Sequence, residues 1–67
     1  MTKTIPHLFA DVTARLEDLH SLAVEGQRAD NAPDMQSVLI VHLRFGLVAL
    51  DDTLRLMASA VKTGLKT

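Results

Sequence analysis

From Val38 to Leu50 the chain reads VLIVHLRFGLVAL, a run whose only polar side chains are His42 and Arg44 and whose only glycine is Gly46. So much apolar surface must pack against something, and a chain of 67 residues offers little. Small domains bury a low fraction of their surface. They usually need disulfides, a metal or a partner chain. The chain has no cysteine, which excludes a disulfide and a thiolate zinc site. The run is too short to span a bilayer, which takes about 20 apolar residues, and Arg44 sits in its middle. Oligomerisation is the remaining stabiliser.

The helical punctuation is regular. In TIPH, Thr4 is placed to cap a helix and Pro6 falls in the first turn, where its missing N–H costs little. NAPD repeats the arrangement, with Asn31 as cap, Pro33 in the first turn and Asp34 near the positive end of the dipole. Between them GQRADNAPD holds the signals of a turn. These signals predict one all-α domain over 1–67: helix 1 at about 5–28, a turn at about 26–33 and helix 2 at about 33–63, with Gly64 near its end. The stretch SVLIVHLRF also alternates like a strand. A lone strand lacks a pairing partner, however, and the helical spacing continues unbroken to Val61.

Helix 1 presents one apolar face. Ile5, Phe9, Val12, Leu16, Leu19, Ala23 and Gly26 follow a heptad spacing, widened by Leu8. Helix 2 presents two. Ile40, Leu43, Leu47, Leu50, Leu54, Met57 and Val61 match the spacing of helix 1 and are expected to pack on it. At about 100° per residue, Val38, Phe45, Ala49 and Leu56 fall on a second face, flanked by Val41 and Val48. Gly46, Thr53 and Ala60 are small residues between the two. Helix 1 covers one side of helix 2 only. The expectation is therefore an antiparallel hairpin that dimerises into a four-helix bundle. The expected dimer interface is Val38, His42, Phe45, Ala49 and Leu56. The expected surface for a further partner is Val41, Arg44, Val48, Ala60, Val61 and Leu65, the last two on an overhang beyond the start of helix 1.

The polar residues do not assemble a reactive site. His20 and His42 are about equidistant from the turn, but two imidazoles without a nearby carboxylate or thiolate make a poor metal site. Asp51 and Asp52 are adjacent and point about 100° apart, so they do not share one site. Asp51 is spaced to pair with Arg55, four residues on. There is no nucleophile with its base and no glycine-rich phosphate loop. No enzyme, cofactor or metal is expected.

With seven basic and eight acidic residues, the formal charge is −1, and the two phenylalanines are the only aromatics. A nucleic-acid binder usually shows a basic patch. Nucleic acid is therefore not the expected partner, although Arg44, Arg55 and Lys62 share a strip. The N-terminal segment MTKTIPHLFADVT has no unbroken apolar core or cleavage pattern. A cytoplasmic, non-membrane protein is expected. With two apolar faces on helix 2 and no reactive site, the expectation is a non-enzymatic helical homodimer that binds and regulates a larger protein, as inhibitor, anti-activator or adaptor. The alternatives are a nucleic-acid-associated helical dimer and a subunit of a fixed hetero-complex.

Overall fold

The computed structural model describes residues 4–64, which form two antiparallel α-helices. Helix α1 spans Ile5–Gly26 and α2 spans Pro33–Lys62. No strand occurs among the described residues, so SVLIVHLRF is helical. Thr4 is extended, and its hydroxyl accepts a hydrogen bond from the His7 N–H at 3.4 Å. That satisfies one of the donors a helix start leaves open. Helix α1 ends two residues before the expected boundary. There the Arg28 guanidinium reaches both Glu25 and Asp30, each at 3.2 Å.

Asn31 does not cap α2. Ala32 takes the N-cap position with extended backbone and no side-chain bond, and Pro33 opens the helix. A proline disfavours helical geometry in the residue before it, so the cap falls on Ala32 and Asn31 lies one position too early. Asn31 instead donates from Nδ2 to the Glu25 carbonyl at 2.7 Å. Asn31 so closes the end of the preceding helix instead of opening the next. At the far end of α2, Lys62 sits in the last turn, and Gly64 takes a left-handed φ of 79° beyond Thr63.

The hairpin is a slab one helix thick, measuring 49 × 17 × 15 Å. Its core is Leu8, Leu39, Leu50 and Met57, and none of the described side chains is fully buried. Half-buried Ile5, Val12, Leu19 and Leu22 complete the contact on α1. On α2, Leu43, Gly46, Thr53 and Ala60 do so. Leu19 packs directly over Gly46, since a Cβ there would collide with the side chain of Leu19. Thr53 is tolerated in this apolar strip because its hydroxyl donates to the Ala49 carbonyl at 3.1 Å.

The contact is rotated from the one expected. Three of the seven residues in each predicted row are retained: Ile5, Val12 and Leu19 on α1, and Leu43, Leu50 and Met57 on α2. The other four stay out of the hairpin contact. On α1, Phe9 is 58% and Leu16 50% exposed, and Ala23 is exposed as well. On α2, Ile40, Leu47, Leu54 and Val61 are all exposed. Leu8, expected at the edge of this face, and Leu22 take the place of the first set, while Leu39, Gly46, Thr53 and Ala60 take that of the second. The physical reason is the small row on α2. Gly46, Thr53 and Ala60 let the helix axes come closer than facing rows of leucine and isoleucine would.

Candidate interaction surfaces

The rotated contact leaves two apolar surfaces, on opposite sides of the slab. The first uses both helices. Ala23 and Ile40 border one groove along the helix junction, beside Leu39 and Leu43. Asp18, Leu22 and Gly46 border the groove on the other side. Seven-residue steps from Ala23 lead to Leu16 and Phe9, and from Ile40 to Leu47, Leu54 and Val61. Heptad steps keep to one side of a helix, so all seven residues share the face of the Ala23–Ile40 groove.

Pairing across the slab follows from the same contacts. Leu19 lies opposite Gly46, so positions whose numbers sum to about 65 are level. Ala23 therefore sits beside Ile40, Leu16 beside Leu47, and Phe9 beside Leu54. These are three layers of two side chains each.

The second surface belongs to α2 alone. Val38 is 47%, Phe45 70% and Leu56 60% exposed. His42 is exposed and Ala49 half-buried on the same flank. Val41, Arg44, Phe45 and Val48 form a shallow cleft of about 250 Å³ on the outer side of the helix. Of the remaining residues expected on a partner surface, Val61 is exposed but belongs to the first face. Ala60 is half-buried in the hairpin contact, and Leu65 lies outside the described residues. The first face was concealed in the sequence because its rows looked like the hairpin seam itself.

The charged groups lie at the margins. Asp51 accepts from Arg55 Nε at 2.7 Å and raises the pKa of that guanidinium, as Asp30 and then Glu25 do for Arg28. Arg44 makes no ion pair with another described residue. His20 and His42 are exposed. His20 borders a cleft with Thr13, Leu16 and Glu17, away from His42. No group of three or more potential metal ligands gathers among the described residues. No helix among them is long and apolar enough to cross a membrane. Comparison with known proteins returns no matching family model, no matching curated protein and no matching solved structure.

Proposed function

We propose that the chain is a non-enzymatic binding protein that works as a homodimer and regulates a larger protein. The observation that carries this reading is the imbalance between core and surface. Among the described residues, four hydrophobic side chains are buried, while thirteen large ones are exposed. Exposed apolar surface on that scale marks interaction sites. Domains normally pack at least two layers around a core, and the hairpin is a single layer.

The two surfaces take different roles. The expectation that Val38, Phe45 and Leu56 meet the second copy rested on helix 1 covering Ile40, Leu47, Leu54 and Val61. Because α1 leaves those residues open, the two-helix face is the better dimer surface, and the stripe around Phe45 is left for the target. That stripe runs along one helix with Val41, Arg44 and Val48, and it suits an amphipathic helix of the regulated protein.

Affinity capture from host lysate tests the reading, with wild-type chain compared against Phe45→Asp. The expected result is one reproducible protein retained by wild type and lost with the variant, while circular dichroism shows the variant still helical. No reproducible partner, or a partner indifferent to Phe45→Asp, overturns it.

A further inference from the structure

We propose that the two-helix face is occupied by a second copy of this chain, stacked with the two turns at opposite ends of a four-helix bundle. This rests on the reading of the chain as a self-associating module and specifies how it associates. Area is the first argument. The chain exposes 5308 Å², whereas a compact monomer of 7.3 kDa exposes about 4,200 Å². The surplus of roughly 1,100 Å² exceeds the ~800 Å² that each partner buries in a standard interface.

The direction of the apolar rows is the second argument. In a four-helix bundle each helix points its apolar stripe at the bundle axis, between its two neighbours. The stripe of α1 is centred between the Leu8–Leu22 row and the Phe9–Leu16–Ala23 row. The stripe of α2 is centred between the Leu39–Gly46 row and the Ile40–Leu47–Leu54 row. Both stripes therefore turn away from the hairpin contact toward the same side. A second hairpin repeats the seven-residue spacing, so the rows of the two copies mesh at equal pitch.

Side-chain bulk and charge fix the orientation. The Phe9–Leu54 layer is large and the Ala23–Ile40 layer small. With turns together, large meets large at one end and small meets small at the other, which leaves a gap. With turns opposed, large meets small at both ends and Leu16–Leu47 meets itself at the centre, an even filling. In that arrangement α2 stacks antiparallel on its copy about Leu47. Arg44 lies three residues before Leu47 and Asp51 four after, on the same rim, so Arg44 of one copy comes level with Asp51 of the other. This supplies Arg44 with an acid that no described residue of its own chain supplies.

Because the chain has no cysteine, a single introduced thiol is a clean probe. Spin-labelled Ala29→Cys, in the turn, reads the orientation without touching the face. The expected inter-label distance is close to the 49 Å length of the hairpin. Turns together would give about 20 Å, the width of two packed helices, and would overturn the orientation. A short bismaleimide reads the face. Leu47→Cys is expected to link into covalent dimers and Phe45→Cys is not. Linkage through Phe45→Cys alone would overturn the face while leaving self-association standing. A wild-type chain that sediments as a monomer would overturn self-association itself.

Discussion

At the scale of single residues, Gly46 sets the geometry. Glycine inside a helix costs about 1 kcal/mol relative to alanine, and this one stands where Leu19 packs against it. Gly46→Val is expected to lower stability by about 1–3 kcal/mol, the usual range for overpacking. Urea denaturation checks this, and Leu19→Ala in the same chain should relieve much of the loss. Thr4→Ala should lower stability by about 0.5–1 kcal/mol, toward the low end because the capping bond is long at 3.4 Å. Thr4 was readable as a cap because a hydroxyl directly before a proline-bearing first turn has one obvious use. Gly46 was readable only as a small residue, since a helical wheel does not say which neighbour fills the space beside it.

The helices themselves were well defined by sequence, because capping residues, prolines and Gly64 act locally. The turn was less so: Asn31 looked like a cap by type, yet the proline two residues on moved the cap to Ala32. The rotation of the two helices about their axes was not readable. Each helix carries adjacent apolar rows, and periodicity alone does not distinguish the row facing the hairpin mate from the row facing a second layer. The distinction has consequences for stability. Leu50→Ala removes a buried side chain and should cost about 2–5 kcal/mol, enough to unfold so small a domain. Phe45→Ala removes one that is 70% exposed and should stay within about 0.5 kcal/mol. With Phe45 outside the helix contact, a charge at that position should leave the hairpin fold intact. Thermal denaturation of Leu50→Ala and Phe45→Ala side by side checks the pair.

For the whole molecule, one layer of two helices is an incomplete structure. The slab of 49 × 17 × 15 Å has no fully buried side chain among those described, and a second layer would turn its open face into a core. Stability is then linked to assembly, so the melting temperature should rise with protein concentration. The most direct measurement is the mass of the wild-type chain by sedimentation equilibrium over a wide concentration range. A dimer gives twice the 7.3 kDa chain mass, with a melting temperature that climbs as the protein is concentrated. A folded, helical species that keeps the monomer mass at every concentration, with a constant melting temperature, would contradict it.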